Sequence, residues 1–180
     1  IRLTVFRNDG GFYTPDVNDI SFLIEAEPLE TAGYQLNQKG LWVDVYAEIK
    51  KPVTKISNLK TGSALLYVMA GLTKTSLKLD DCLLVNDNGN IIETINANIF
   101  VVKNGTLYTS PISDGCVDGV MRRQVLDLAA QNKILAFEQP LTVHTLTNGD
   151  EVFLTNAIRG IQWVGQFKNK FYTNQSAIYF

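Results

Sequence analysis

The tightest constraint on the fold is a series of short apolar segments joined by turn signals in the middle of the chain. Asn104-Gly105 separates two such segments, 98–103 and 106–109, and Asn-Gly is the strongest short signal for a β-hairpin. A second turn signal, Asn86-Asp87-Asn88-Gly89-Asn90, follows an apolar segment over 82–86. Strands this short need neighbouring strands for stability, so we expect them to belong to a larger sheet.

Further strands and two main helices complete the predicted pattern. The predicted strands, beyond those already named, cover 1–6, 20–26, 41–46, 91–93, 134–138, 151–155 and 160–167. Apolar residues at helical spacing predict helices over 63–75 and 118–131, and one helical turn over 142–147. The apolar stripe of the second helix is predicted to contain Val120, Val125, Leu128 and Ala129. Residues 51–62 read as a loop, and the absence of a linker indicates one compact α/β unit.

Composition excludes several classes of protein. Hydrophobic residues make up 46% of the 180 residues and charged residues 19%, which is typical of a globular domain and not of a disordered chain. The net charge of −2 provides no basic surface for a nucleic acid. The longest apolar run, Ala64 to Leu72, has nine residues, whereas a membrane-spanning helix needs about 20. We therefore expect neither a nucleic-acid nor a membrane partner.

The cysteines and the histidine limit the chemistry further. Cys82 and Cys116 are 116 − 82 = 34 residues apart, which does not make a disulfide framework and is compatible with the cytoplasm. With one histidine and no Cys-x-x-Cys motif, we expect no metal site. The sequence contains no nucleophile elbow, and His144 is expected to be a surface or partly buried imidazole.

The candidate chemistry lies on three segments. Lys60 ends a loop before the first predicted helix, Glu93 ends a predicted strand, and Gly119 precedes the second helix. A lysine can bond to an aldehyde carbon, a carboxylate can pair with a pyridine nitrogen, and a helix N-terminus offers N–H groups to a phosphate. Together these are the parts that pyridoxal phosphate requires, although each alone is typical of an ordinary surface residue or helix cap.

In order and spacing, these segments resemble the class IV aminotransferases, the fold type IV pyridoxal-phosphate enzymes. That family includes branched-chain aminotransferase, D-amino-acid aminotransferase and 4-amino-4-deoxychorismate lyase. Lys60 matches the family lysine, and Glu93 lies 93 − 60 = 33 residues later. Glu93 and Asn98-Ile99-Phe100 match the pattern E-x-x-x-x-N-[IL]-F, and Gly119-Val120-Met121-Arg122 matches the phosphate segment G-[IV]-[TM]-R. Tyr108-Thr109-Ser110-Pro111 matches the family's T-P with a serine inserted.

The resemblance extends from Arg2 to about Val164 and implies a fold. That fold is the C-terminal large domain of the D-amino-acid aminotransferase-like fold, an α/β domain with a mixed sheet and flanking helices. Residues 1–180 would form the cofactor-binding domain. Because Ile1 already lies in a predicted strand, we expect the family's N-terminal subdomain, with its phosphate-binding arginine, to be largely absent from this chain.

The resemblance also implies a role for each matching residue. Lys60 would hold pyridoxal phosphate covalently and then move the proton at the substrate α-carbon. Glu93 would bind the pyridine nitrogen. The backbone N–H groups of Val120 and Met121 would hold the phosphate.

A late loop and two further residues complete the implied site. Thr155, Asn156 and Ala157 match the loop that closes over phosphate and substrate. Asn156 and Ala157 are assigned to the cofactor, and Thr155 and Asn156 to the substrate. Asn98 would brace the strand that carries Glu93. Arg122 is expected either at the site or in a surface contact.

The reaction is read from two places in the sequence. Among family members, Thr155-Asn156-Ala157 and Met121 favour 4-amino-4-deoxychorismate lyase, which eliminates pyruvate and leaves 4-aminobenzoate for folate biosynthesis. The alternative is an amino-acid aminotransferase of the branched-chain type that uses 2-oxoglutarate. A second alternative is a catalytically silent fragment or binding module of the same fold. The resemblance further implies a homodimer that acts on a small-molecule substrate in the cytoplasm.

Overall fold

The computed structural model describes residues 1–29, 33–175 and 177, which fall into two compact units, Ile1–Gly33 and Tyr34–Phe180. In the first unit, strand β1 (Arg2–Arg7) pairs antiparallel with strand β2 (Ile20–Glu25). Both strands lie within one or two residues of their predicted ranges. The single compact unit expected from the sequence is therefore divided in the structure.

The second unit contains the remaining elements. They are strand β3 (Leu41–Lys51), helix α1 (Leu65–Leu77), strands β4 (Asp81–Asn86), β5 (Ile91–Thr94), β6 (Asn98–Lys103) and β7 (Thr106–Thr109), helix α2 (Val120–Gln131), strand β8 (Ala136–Glu138), helix α3 (Val143–Asn148), and strands β9 (Glu151–Asn156), β10 (Gly160–Phe167) and β11 (Lys170–Phe171). A short 3-10 turn, Ile112–Asp114, precedes α2. The hairpin predicted from Asn104-Gly105 has the predicted strand bounds, and both turn residues have positive φ.

Six of the strands close into a ring, because β9 pairs with both β6 and β10 while β10 also pairs with β3. The order around the ring is β3-β4-β5-β6-β9-β10. The β10–β3 and β3–β4 pairs are parallel and the other pairs of the ring are antiparallel. Side chains from all six strands form one buried cluster, which includes Val43, Leu83, Ile91, Ile99, Val152 and Val164. The mixed sheet expected from the resemblance is confirmed.

Two helices cover the other face of this sheet. Ala70 of α1 is buried in a cluster with Tyr46, Leu84 and Ile92. Val125 and Ala129 of α2 are buried against Phe100 and Phe153, whose rings stack 5.1 Å apart. No helix among the described residues is long and apolar enough to cross a membrane.

The structure corrects the predicted apolar stripe of α2. Val125 and Ala129 are buried as predicted, but Val120 is 66% exposed and Leu128 lies at the surface. Arg122 takes an inward position instead, at 1% exposure. Its guanidinium donates to the Ser110 carbonyl (2.9 Å) and to Glu138 Oε2 (2.5 Å). Apolar spacing could not reveal this arginine, because its partners lie on other segments.

The structure differs from the remaining predictions in smaller ways. Lys51 is the last residue of β3 and not the first residue of the loop, and β11 was not predicted. The expected helical turn is α3, which Thr142 caps together with Thr145. His144 is exposed, and its ring nitrogen contacts the Asn148 amide at 2.8 Å.

We predict that neither thiol of the folded protein reacts readily near neutral pH. Cys82 and Cys116 are free and buried, and burial raises the pKa of each thiol to about 11. At pH 8, about one thousandth of such a thiol is thiolate, the reactive form. Alkylation of the native protein should be far slower than that of a cysteine peptide and should rise as the pH approaches 11. Mass spectrometry after denaturation should then show both cysteines labelled, whereas rapid labelling of the native protein would contradict the prediction.

Candidate active site

A β-bulge determines which way the Glu93 side chain points. In the β4–β5 ladder, Leu84 lies opposite Glu93 and Val85 lies opposite Ile91, so Ile92 is an extra residue on β5. Simple alternation would point Glu93 to the same side as Ile91, into the core of the ring. The bulge instead turns Glu93 to the face that the helices cover, as bulges beside functional sites often do.

The Glu93 carboxylate is buried, at 2% exposure, and receives three hydrogen bonds. Oε1 accepts from Lys51 Nζ at 2.6 Å and from the Tyr67 hydroxyl at 2.8 Å. Oε2 accepts from the backbone N–H of Val117 at 2.7 Å. Burial, followed by the charge of Glu93, raises the pKa of Tyr67 well above its usual value, so Tyr67 remains a donor. The carboxylate thus joins β3, α1 and the segment before α2.

A row of polar side chains runs across the sheet from Glu93. Asn98 on β6 lies opposite Glu93, and Thr155 on β9 lies opposite Asn98. The Asn98 amide donates to the Val117 carbonyl at 2.7 Å, in the segment before α2. Thr155 is 1% exposed, and its hydroxyl has no hydrogen-bond partner among the described residues. A buried unpaired hydroxyl is costly, so Thr155 is a candidate contact for a bound ligand.

The N-terminus of α2 lies directly against this row. Gly119 is the N-cap, and a Cβ placed there would lie 2.1 Å from Asn98 Oδ1. The first hydrogen bond of the helix runs from the Arg123 N–H to the Gly119 carbonyl at 3.1 Å. The N–H groups of Val120 and Met121 precede it and have no partner within the helix. These are the amides to which the family resemblance assigns a phosphate.

Hydrogen bonds also connect the Lys60 loop to the segment before α2. The Asn58 amide donates to the carbonyls of Ile112 (2.7 Å) and Cys116 (2.8 Å), and the Asp118 N–H donates to the Asn58 carbonyl at 3.0 Å. Lys60 follows two residues later and is exposed. The structure thus brings the Lys60 loop, Glu93 and the start of α2 into one region.

Several polar groups of the late loop already form hydrogen bonds within the protein. Asn156 ends β9, and its Oδ1 accepts from the N–H groups of Ile158 (3.0 Å) and Arg159 (2.8 Å). Its amide nitrogen contacts Asn96 Oδ1 at 3.4 Å. The Ala157 carbonyl accepts from the Tyr34 hydroxyl at 3.1 Å. The Asn156 side chain therefore shapes the turn, and on this loop it is Thr155 that offers an unpaired side-chain group.

Sequence reasoning missed two residues of this region, Lys51 and Tyr67. Lys51 is 42 residues from Glu93 in the chain and sits among other lysines. Tyr67 lies on α1, which the sequence indicated only through the spacing of its apolar residues. Neither belongs to a motif with a recognisable spacing, so only the tertiary contacts reveal them.

The residues present fit pyridoxal phosphate. A carboxylate offers about four acceptor positions, and the three donors to Glu93 leave room for a ring N–H. The unpaired amides at the start of α2 suit a phosphate, and an exposed lysine lies on a loop tied to the same region.

The family model for class IV amino-transferases matches residues 1–167. The chain belongs to the class IV aminotransferase family. A putative branched-chain-amino-acid aminotransferase of Methanocaldococcus jannaschii is 32% identical over 117 residues, which are 65% of this chain and 41% of that protein. The chain thus spans about two fifths of the length of this relative.

Solved structures agree with this class IV assignment. A putative 4-amino-4-deoxychorismate lyase from Legionella pneumophila matches with a TM-score of 0.75 and 26% identity, over 88% of this chain and 57% of that one. An aminotransferase from Brucella abortus with bound pyridoxal phosphate matches with a TM-score of 0.81 and 17% identity, over 97% of this chain and 62% of that one. The second match shows the shared fold. Class IV aminotransferases use pyridoxal phosphate, as the sequence predicted.

We predict opposite stability changes for two glycine-to-alanine substitutions. Gly119→Ala forces a methyl group onto Asn98 Oδ1, and Asn98 is held by its bond to Val117. Such overpacking costs about 1–3 kcal/mol of unfolding free energy. Gly71→Ala, within α1, meets nothing within 4 Å and should stabilise the helix by about 0.5–1 kcal/mol. Urea unfolding of both variants tests this, and wild-type stability of Gly119→Ala would show that the close approach is not tight.

Proposed function

We propose that this chain carries the pyridoxal-phosphate site of an enzyme that acts at the α-carbon of an amino substrate. The observation that carries the proposal is the buried Glu93 carboxylate, with an acceptor position left open beside the start of α2. When bound, the cofactor supplies an electron sink for negative charge at that carbon. A catalytically silent fragment would have no need to keep a carboxylate buried with three donors.

Each residue has a definite task in this proposal. Lys60 would hold the cofactor through its aldehyde carbon, with loss of water, and would move the proton at the substrate α-carbon. Glu93 holds the ring nitrogen, and the N–H groups of Val120 and Met121 hold the phosphate. The turn over Asn156 and Ala157 closes the phosphate side through backbone groups. Thr155 offers its hydroxyl to the bound ligand, because it has no partner among the described residues.

Lys60, and not Lys51, is the proposed attachment point. Lys51 Nζ lies 2.6 Å from Glu93 Oε1, at the carboxylate that would bind the ring nitrogen. The aldehyde carbon of pyridoxal phosphate is attached across the ring from that nitrogen. A lysine held on the carboxylate therefore cannot also reach the aldehyde.

We predict that borohydride reduction of the protein loaded with pyridoxal phosphate places the adduct on Lys60. The test uses the longest natural protein that contains this chain, followed by digestion and peptide mass spectrometry. Lys60→Ala should abolish both the adduct and turnover, because no other group can bind the aldehyde and carry the proton. Lys55→Ala, an exposed lysine of the same loop, is the matched control. An adduct on Lys51 would overturn the assignment.

For the reaction, we propose elimination of pyruvate from 4-amino-4-deoxychorismate. Thr155-Asn156-Ala157 at the late loop and Met121 in the phosphate segment support this, as lyases of the family tend to carry them. The similarity to the putative lyase of Legionella pneumophila, over 88% of this chain, also supports it. We also propose that the enzyme is a homodimer and acts in the cytoplasm.

The second candidate is transamination of a branched-chain amino acid with 2-oxoglutarate. The observation in its favour is the 32% identity to the putative branched-chain aminotransferase of Methanocaldococcus jannaschii. Both reactions begin with removal of the α-proton, so Lys60 and Glu93 serve either one.

We predict that the protein releases pyruvate from 4-amino-4-deoxychorismate faster than it forms glutamate from branched-chain amino acids and 2-oxoglutarate. Both products are followed with the same preparation, and Lys60→Ala is the negative control for each. Rapid glutamate formation without pyruvate would favour the second candidate. Cofactor binding without either product would favour a silent member of the fold.

A further inference from the structure

We propose that Lys51 is a positioning residue for the cofactor ring, since its ion pair with Glu93 directs the ring nitrogen to Glu93 Oε2. This inference rests on the proposed function and assigns a task to a residue that carries no family motif. Lys51 touches neither the reacting atoms nor the aldehyde in this arrangement. Its effect on the ring nitrogen is exerted through the carboxylate.

The environment of Lys51 is unusual for a lysine. The residue is 8% exposed, although lysine is among the side chains least often buried. Its ammonium donates to Glu93 Oε1 at 2.6 Å and to the Ser57 carbonyl at 2.9 Å, and it lies 5.7 Å from the centre of the Tyr67 ring. Burying an ammonium is costly unless it is paired and hydrogen-bonded. The Glu93 carboxylate therefore provides the opposite charge that allows the Lys51 ammonium to be buried.

The donors are divided unequally between the two carboxylate oxygens. Oε1 receives Lys51 and Tyr67, which fill the two acceptor positions that one such oxygen offers. Among the residues that the structure describes, Oε2 receives only the Val117 N–H. The open position thus lies on Oε2, which is also the oxygen that accepts from the segment before α2. A ring bound there would place its nitrogen on Glu93, beside the segment that leads to the proposed phosphate contacts of α2.

A second hydrogen bond fixes the position of the Lys51 ammonium. Its other acceptor is the Ser57 carbonyl, at 2.9 Å. This bond holds the ammonium beside Glu93, so that the ion pair has one fixed geometry.

The test compares two ligands that differ at a single ring atom. Dissociation constants are measured for pyridoxal phosphate and for its analogue with CH in place of the ring nitrogen, with wild type, Lys51→Met and Lys51→Arg. If Lys51 acts through Glu93, Lys51→Met should weaken pyridoxal phosphate by about tenfold or more, because a charge-assisted contact is lost, and leave the analogue unchanged. Lys51→Arg should restore much of the loss. Lys50→Met is the matched control, since Lys50 is exposed and its ammonium donates to the Asp87 carbonyl at 3.3 Å, away from Glu93.

A second comparison uses the Glu93→Gln background, in which the charge that pairs with Lys51 is absent. In Glu93→Gln, adding Lys51→Met should cause no further loss of pyridoxal-phosphate affinity, and this pair also serves if Lys51→Met alone does not fold. Equal weakening of both ligands, or a further loss in the Glu93→Gln background, would show that Lys51 is only structural and overturn the proposal. Wild-type protein that binds neither ligand would instead overturn the proposed function, so the two failures are distinguishable.

Discussion

The organisation of the site depends on one buried carboxylate. Glu93 accepts hydrogen bonds from β3, α1 and the segment before α2 through Lys51, Tyr67 and the Val117 N–H. A buried charge is stable only when it is paired and hydrogen-bonded, so these segments must assemble together for any of them to be satisfied. The same contacts leave one oxygen with spare acceptor capacity. Stability and the proposed recognition of the ligand thus depend on the same group.

The closed ring of strands explains why this carboxylate can be held so firmly. Apolar side chains fill the inside of the ring, and the two helices cover the opposite face of its strands. Leu84 and Ile92 face the helices, and the extra residue at Ile92 turns Glu93 to the same side. Asn98 and Thr155 follow in register on the next two strands. The row of polar side chains therefore follows from the register of the β5–β6 and β6–β9 strand pairs.

The class IV aminotransferase family accounts for the fold and the cofactor, and the site residues give that assignment a physical basis in this chain. Gly119 lets the start of α2 approach Asn98 where any other residue would clash. The Asn156 side chain is used within its own turn, which leaves Thr155 as the residue of that loop with an unpaired hydroxyl.

By itself, the sequence determined the local elements, because turn residues and apolar spacing act over a few positions: the 98–109 hairpin and the 120–131 helix have nearly the predicted bounds. Family spacing also identified Lys60, Glu93 and the start of α2 as one set. Only the tertiary structure decided which groups meet. Arg122 is buried and Lys51 pairs with Glu93 because contacts between distant segments offset the cost of burying charge, and no short-range pattern records such contacts.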